Sequence, residues 1–398
     1  MKRYDLLTPE GTRDLLFEEC AAKRAVTEGL TDLFESYGYS EVMTPGLEFF
    51  DVFNGKVRYF PQETMYKLVD GKNRLMVLRP DNTMPIARLA ATRLRGEQLP
   101  LKLFYNQSIF VVNPKNSGRD DEFTQSGIEI LGGKSGAADI EALSLAAKAL
   151  AVCDEDYRLE IGDNGFFREL IPQLGADEEL AESIREFIET KNYPALGEIM
   201  SGYDSKAAAA IGKLPELFGG AEVFAEAEKY MFTDSLRERL RELKALYDSI
   251  CGICPADRIR VDLGLVHKKN YYTGILFRGY VQGYGRPVLS GGRYDKLLGD
   301  FGREAAAIGF AVNVEAAAKV LYARGVGVPA PDVLVHGEQG AETAALKHCG
   351  ELISEGLTVY HSLFECPKCA AEYAKAHNIR RIDIVSADGS VKSEEVRQ

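Results

Sequence analysis

The chain has 398 residues, of which 45% are apolar, and this length exceeds what one hydrophobic core usually organises. Its 60 acidic side chains outnumber 48 Lys and Arg, and the resulting net charge of −12 argues against a broad contact with nucleic-acid phosphates. The sequence contains no secretory signal pattern and no run of 18 apolar residues, so we expect a cytoplasmic protein that does not cross a membrane.

The N-terminal part of the sequence alternates between helical and strand-like patterns. Apolar residues at helical spacing after Asp14 predict a first helix of about six turns, which ends where Gly38 supplies a C-terminal glycine. Two β-rich runs flank Asp70-Gly71 and predict a hairpin. Further strands are predicted at 39–43, 103–113 and 123–131, and further helices at 82–95 and 138–152.

The second half of the sequence divides into three regions. Residues 164–246 are rich in Ala, Leu, Glu and Lys at helical spacing, which predicts a helical insertion within 164–256. Strands are then predicted at 258–263, 271–281, 286–289 and 305–312, followed by a helix at 315–321. A linker rich in Gly and Pro at 325–331 separates a first domain, 1–325, from a small C-terminal α/β domain, 326–398.

The seven cysteines do not form the pattern of a secreted disulfide framework, because their number is odd and they are spread along the chain. Two CxxC pairs are present, Cys251 with Cys254 and Cys366 with Cys369. More than a hundred residues separate the two pairs, so a shared zinc site is not favoured and no metal is expected. We expect reduced thiols, with Cys251 and Cys254 as small buried residues rather than a redox motif.

Seven short segments follow one another along the first four-fifths of the chain. They are TPEGTRD (8–14), a strand that ends at Pro45, LRPDNT (78–83), FTQSGIEILG (123–132), NYYTGILF (270–277), SGGRYDKLLG (290–299) and GFAVNVE (309–315). As an ordered set, these segments resemble class II aminoacyl-tRNA synthetases of the histidyl type. The resemblance implies an α+β fold, with an antiparallel sheet and flanking helices around the helical insertion.

The resemblance also implies a pocket for free histidine, which needs acceptors for the ammonium group and a carboxylate or phenol for the imidazole. Asp81, Thr83 and Gln125 would hold the ammonium group. Glu129 and Tyr272 would meet the imidazole, and Tyr271 would form a wall of the site. An alternative interpretation makes Gln125 and Glu129 part of a solvated strand face, and the two tyrosines ordinary sheet aromatics.

Amino-acid activation places a carboxylate against the α-phosphate of ATP, and arginine forks usually neutralise that charge. The resemblance aligns the three arginines of the family with Val111, His267 and Ala316. His267 is left as a weaker candidate contact for the α-carboxylate of histidine. Asn113 replaces the acid that addresses adenine, and the acidic run 120–122 is expected to repel ATP. Synthetase catalysis is therefore expected to be absent.

A synthetase body that keeps a histidine pocket without ATP chemistry resembles the family of ATP phosphoribosyltransferase regulatory subunits. The resemblance implies a chain without catalytic residues or cofactor that dimerises within a hetero-octamer. Its partner would be the short-form catalytic subunit, which it activates, and L-histidine would be its allosteric ligand. No tRNA is expected, because residues after Pro331 carry eleven acidic and seven basic side chains.

Three alternatives remain open at this point: an active histidine:tRNA ligase, the phosphoribosyltransferase itself, and a general amino-acid sensor that is unrelated to histidine synthesis. Val111 and Ala316 disfavour the ligase. The sequence lacks a hydrophobic strand with paired acids and a small phosphate loop, which disfavours the phosphoribosyltransferase.

Overall fold

The computed structural model describes residues 3–55, 60–114, 118–133, 135–266 and 271–396. The chain divides into two compact units, Met1–Val326 and Gly327–Gln398, called here the N-terminal and C-terminal units. None of the described helices is long and apolar enough to span a membrane.

The N-terminal unit contains a nine-stranded sheet, a three-stranded sheet and flanking helices. Its strands are β1 (Ser40–Glu41), β2 (Leu47–Phe49), β3 (Lys67–Val69), β4 (Leu75–Leu78), β5 (Leu101–Phe110), β6 (Glu122–Leu131), β7 (Tyr157–Asp163), β8 (Phe218–Gly219), β9 (Ile259–Asp262), β10 (Ile275–Val281), β11 (Leu289–Arg293) and β12 (Ala307–Asn313). Its α-helices are α1 (Phe17–Ser36), α2 (Asp51–Asn54), α3 (Thr83–Ala91), α4 (Ser135–Cys153), α5 (Asn164–Leu174), α6 (Glu178–Glu189), α7 (Tyr193–Ser201), α8 (Lys206–Lys213), α9 (Glu222–Ala227), α10 (Asp234–Cys251), α11 (Leu297–Asp300) and α12 (Val314–Ala323).

The large sheet has the strand order β1-β5-β6-β12-β11-β10-β7-β9-β8. All of its central pairs are antiparallel, and only β1 with β5 and β7 with β9 run parallel. The small sheet has the order β2-β4-β3, and β3 with β4 forms the hairpin predicted at Asp70-Gly71. Helices α5 to α10 form the insertion between β7 and β9. The predicted α+β fold with an antiparallel sheet is therefore confirmed.

The two faces of the large sheet have different coverings, because successive side chains of a strand point to opposite faces. On β6, Ile128 and Ile130 join the larger core, which also includes apolar residues of α1, α4 and α12. Leu131, two residues after Glu129, joins a second core with Met84 of α3 and Leu297 of α11. The alternation thus places Glu129 on the face of the second core.

Several elements differ from the sequence-based prediction. Strand β7 was not predicted, although it lies between β10 and β9 in the large sheet. Helix α1 begins at Phe17, with Leu16 as its N-cap residue. Strand β10 begins at Ile275 and not at residue 271, and β11 lies three residues beyond its predicted start. These strand bounds follow from pairing within the sheet rather than from local propensity.

The C-terminal unit is a four-stranded sheet with a helix packed on each face. Its elements are β13 (Val333–Gly337), α13 (Glu342–Ser354), β14 (Val359–Ser362), α14 (Pro367–Ala376), β15 (Arg381–Val385) and β16 (Val391–Glu395). The order is β14-β13-β15-β16, with β16 antiparallel and the other pairs parallel. Strand β16 was not predicted, because all five of its residues are exposed and no apolar alternation marks it.

Gly38 ends helix α1 in the left-handed conformation, with φ of +75°. The Gly38 and Tyr39 N–H groups donate to the Glu35 and Phe34 carbonyls, so two carbonyls of the last turn are satisfied. We expect Gly38→Ala to lower the free energy of unfolding by about 1 kcal/mol, because an L side chain is strained at this φ.

Gly197 lies inside α7 with open space around its Cα and serves as the control. We expect Gly197→Ala to raise the free energy of unfolding by about 0.5–1 kcal/mol in the same urea titrations, since alanine favours a helix. Equal signs for the two substitutions would contradict this account of Gly38.

Candidate pocket on the second core

The first pocket segment is the start of α3, directly after the loop that follows β4. Asp81 is only 2% exposed, and its Oδ1 atom accepts hydrogen bonds from the Thr83 N–H at 2.8 Å and the Met84 N–H at 3.4 Å. A carboxylate is favourable at a helix N-terminus, where backbone N–H groups lack partners within the helix. The helix start therefore fixes the orientation of Asp81 and, with it, of the Thr83 side chain.

The second pocket segment is β6, which carries Glu129. This carboxylate is 1% exposed; its Oε1 atom accepts from the Thr83 hydroxyl at 2.9 Å and its Oε2 atom accepts from the Tyr294 hydroxyl. Gly309 of β12 lies opposite Glu129 in the sheet, and a Cβ atom added there would overlap Glu129 Oε2. Glycine is therefore required at position 309 to leave space for the carboxylate.

Four tyrosines line this part of the second core. Tyr105, Tyr271 and Tyr294 are at most 3% exposed, and Tyr272 is 7% exposed. The Tyr271 ring centroid lies 4.6 Å from that of Tyr272 and 6.0 Å from that of Tyr294. Burial, reinforced by the negative charge of Glu129, raises the pKa of Tyr105, Tyr271 and Tyr294 well above the usual value. These phenols therefore remain neutral hydrogen-bond donors.

Asn82 and Gln125 connect the same two segments. The Asn82 side chain is fully buried, and its amide donates to Gln125 Oε1 at 3.1 Å and to the Gln107 carbonyl at 3.4 Å. The Asn82 Oδ1 atom has no hydrogen-bond partner within the described part of the chain. A buried acceptor without a partner is costly, so this atom is a candidate contact for a ligand donor.

Comparison with known proteins identifies the family of the chain. Residues 11–317 match the sequence model of the Histidyl-tRNA synthetase family. The ATP phosphoribosyltransferase regulatory subunit of Clostridium kluyveri is 38% identical over 391 residues, which are 96% of this chain and all of that protein. The chain belongs to the family of ATP phosphoribosyltransferase regulatory subunits.

Two further similarities agree with this assignment. The regulatory subunit of Clostridium acetobutylicum is 43% identical over 79% of this chain and 78% of its own length. A crystal structure described as an ATP phosphoribosyltransferase regulatory subunit/histidyl-tRNA synthetase from Bacillus halodurans superposes with a TM-score of 0.84 at 27% identity. It covers 97% of this chain and 99% of that one. The resemblance inferred from the motifs is confirmed.

In this member of the family, six of the seven predicted site residues lie on one side of the large sheet. Asp81, Thr83, Gln125, Glu129, Tyr271 and Tyr272 come together through the contacts described above. His267 lies outside the described residues. The interpretation of Glu129 as part of a solvated strand face is wrong, because Glu129 is buried.

Sequence reasoning did not identify Asn82, Tyr105 or Tyr294 as site residues. Asn82 lies within the LRPDNT segment and Tyr294 within SGGRYDKLLG, so the motifs contained a signal for both. Tyr105 alternates along β5 with Leu103 and Gln107, and such alternation marks a buried face without distinguishing the pocket from the core.

The positions that the resemblance assigns to ATP-binding residues make hydrogen bonds and core contacts within the protein. The Val111 N–H donates to the Asp121 carbonyl at 2.8 Å, and the Asn113 amide donates to the Val111 and Asp120 carbonyls at 3.2 and 3.1 Å. Ala316 is 2% exposed within the larger core, and its N–H donates to the Asn313 side chain at 2.9 Å. These residues thus stabilise the loop after β5 and the start of α12.

The acids of the run 120–122 make contacts within the protein, and the expected repulsion of ATP stays a prediction. Asp120 pairs with Lys319 at 2.9 Å and lies 4.0 Å from Arg13. Asp121 is 8% exposed and accepts from the Tyr66 hydroxyl at 2.5 Å. Asp120 and Asp121 therefore help to hold the segment between β5 and β6 in place.

The CxxC cysteines differ in their surroundings. Cys254 is buried as expected, but Cys251 is partly exposed and Cys369 is exposed. Within the described ranges, no group of three or more His, Cys, Asp or Glu side chains is arranged to hold a metal ion.

Tyr294 supplies one of the two described hydroxyl donors to Glu129. We expect Tyr294→Phe to lower the free energy of unfolding by about 1–3 kcal/mol, because the buried carboxylate loses a hydrogen bond. Thermal or urea unfolding checks this value. Tyr322→Phe removes a hydroxyl from a half-exposed ring on α12 and should change stability by less than about 0.5 kcal/mol. Equal effects of the two variants would refute the importance of the Tyr294–Glu129 bond.

Proposed function

We propose that this chain is a non-catalytic regulatory subunit that binds L-histidine in the pocket around Glu129. Its partner is a short-form ATP phosphoribosyltransferase catalytic subunit, which it activates and makes sensitive to feedback inhibition by histidine. The proposed assembly is a cytoplasmic hetero-octamer in which regulatory chains associate as dimers, without a cofactor. Family membership supports the regulatory role, and the setting of Glu129 carries the choice of ligand.

Glu129 suits the imidazole of histidine because it is an acceptor held in place beside aromatic rings. Each carboxylate oxygen has two lone pairs, so the hydrogen bonds from Thr83 and Tyr294 do not by themselves prevent Glu129 from accepting an imidazole N–H. Tyr271 and Tyr272 provide flat apolar surfaces for the ring. A carboxylate in this setting favours a ligand with an N–H donor over an aliphatic amino-acid side chain.

The other end of the proposed ligand carries an ammonium group, which needs acceptors. Asp81 supplies a negative charge, and the Asn82 side-chain oxygen supplies an acceptor without a described partner. Gln125 lies within hydrogen-bond distance of Asn82. These groups support recognition of a free amino acid rather than of an imidazole alone.

The absence of catalysis rests on two side chains that cannot hold a phosphate. Val111 and Ala316 occupy positions that the resemblance assigns to arginines, and neither side chain carries charge or a hydrogen-bond donor. Each missing arginine removes transition-state stabilisation of about 3 kcal/mol or more. We infer that the pocket binds an amino acid without activating it.

A ligand regulates a complex only when it binds one of its conformations better than another. Histidine must therefore prefer the conformation in which the catalytic partner is inhibited. By reciprocity, the partner must then change the affinity of this chain for histidine by the same factor.

The ligand assignment is tested by calorimetric titration of the purified chain with L-histidine. We expect Glu129→Gln to weaken binding by about tenfold or more, because a hydrogen bond to a charged acceptor contributes about 1.5–3 kcal/mol. Glu122→Gln changes an exposed glutamate at the start of the same strand and should leave affinity unchanged. Unaltered affinity in the folded Glu129→Gln variant would move the site elsewhere.

The partner assignment is tested by mixing the chain with a short-form catalytic subunit and measuring phosphoribosyl-ATP formation. We expect the chain to stimulate the reaction and histidine to suppress it. The Glu129→Gln variant should still stimulate while losing sensitivity to the same histidine concentration. No stimulation by the wild-type chain would contradict the regulatory role, and ATP-dependent charging of tRNA would favour a ligase.

A further inference from the structure

Cys366 and Cys369 lie at the N-terminus of α14, directly after the loop that follows β14. Cys366 is the N-cap residue, and its Sγ atom accepts from the Cys369 N–H at 3.3 Å. The two Sγ atoms lie 2.7 Å apart. Because a disulfide has an S–S distance of about 2.05 Å, these sulfurs can bond after a shift of less than about 1 Å.

The pair is both accessible and held in place. Cys369 is exposed and Cys366 is partly exposed, so a small molecule can reach the sulfurs. Pro367 occupies the first turn of α14, where its fixed φ suits the helix. Ala370 and Ala374 on the same helix are fully buried against the sheet. The helix therefore positions the thiols without burying them.

The two thiols are not equivalent. The contact with the Cys369 side chain and the hydrogen bond from the Cys369 N–H lower the pKa of the Cys366 thiol, although nearby Glu372 acts in the opposite direction. The hydrogen bond to Cys366 raises the pKa of Cys369. The Cys369 N–H donates to Cys366 Sγ at the start of α14, and this position favours the thiolate, which is the reactive form, on Cys366.

The other CxxC pair provides an internal comparison. Cys251 is the last residue of α10, and Cys254 follows that helix end and is buried. A helix C-terminus carries partial negative charge and disfavours a thiolate, whereas a helix N-terminus favours it. The two CxxC pairs thus have the same spacing, but the helix end disfavours a thiolate at Cys251 and favours one at Cys366.

We propose that Cys366 and Cys369 form a thiol–disulfide exchange site for small-molecule disulfides. The Cys366 thiolate attacks one sulfur of the disulfide, a protein–small-molecule disulfide forms, and the first small thiolate leaves and takes up a proton. The deprotonated Cys369 sulfur then attacks Cys366 Sγ, the Cys366–Cys369 bond forms, and the second small thiolate leaves. Two protein thiols are oxidised, and one small disulfide is reduced to two thiols.

The test uses the full chain in mixtures of reduced and oxidised glutathione, followed by alkylation and cleavage after glutamate. Cleavage at Glu365 and Glu372 releases peptide 366–372, whose mass reports the state of both cysteines. We expect an internal disulfide in this peptide, formed at least about tenfold faster than one between Cys251 and Cys254. Equal rates for the two pairs, or a reduced 366–372 peptide in oxidised glutathione, would overturn the proposal.

Two serine variants separate the roles of the thiols. Cys369→Ser should accumulate a glutathione adduct on Cys366, whereas Cys366→Ser should form an adduct on Cys369 at least about tenfold more slowly. Serine is a favourable N-cap, so Cys366→Ser is expected to keep α14 intact. Equal adduct rates in the two variants would contradict the assigned order of attack. None of these readouts depends on histidine binding or on the catalytic partner.

Discussion

The buried carboxylate of Glu129 is the constraint on which the candidate pocket depends. Removing a charge from water costs on the order of several kcal/mol unless hydrogen bonds compensate. Thr83 supplies one donor from the start of α3, Tyr294 supplies another after β11, and Gly309 on β12 leaves the required space. One charged group on β6 therefore contacts both the start of α3 and the β11–β12 region, which is far from α3 in sequence.

The sequence could predict the residues of this pocket only where a motif names them. Asp81, Thr83 and Glu129 were identified because ordered segments placed them in a known pattern, and their contacts agree with a common site. Tyr105 lies outside these segments. A buried tyrosine on an alternating strand has the same sequence pattern whether it lines a pocket or fills a core. The orphan oxygen of Asn82 is a property of packing and has no sequence signature.

Long-range partners explain some of the other differences from the predictions. Strand β7 is not one of them, because Tyr157, Leu159 and Ile161 alternate with Arg158 and Glu160 and carry a strand pattern that the prediction missed. The acidic run 120–122 has a long-range partner. Asp120 pairs with Lys319, which lies 199 residues away in the sequence. Local composition predicts the existence of charge, whereas the fold decides which charges remain available to a ligand.

The sequence separation within the pocket also has a consequence for biosynthesis. Tyr294 lies 165 residues after Glu129, and the whole helical insertion is translated between them. A nascent chain that has not yet released β11 and β12 lacks both the Tyr294 hydroxyl and the Gly309 position opposite the carboxylate. Both groups that complete the surroundings of Glu129 are thus synthesised only after the whole helical insertion.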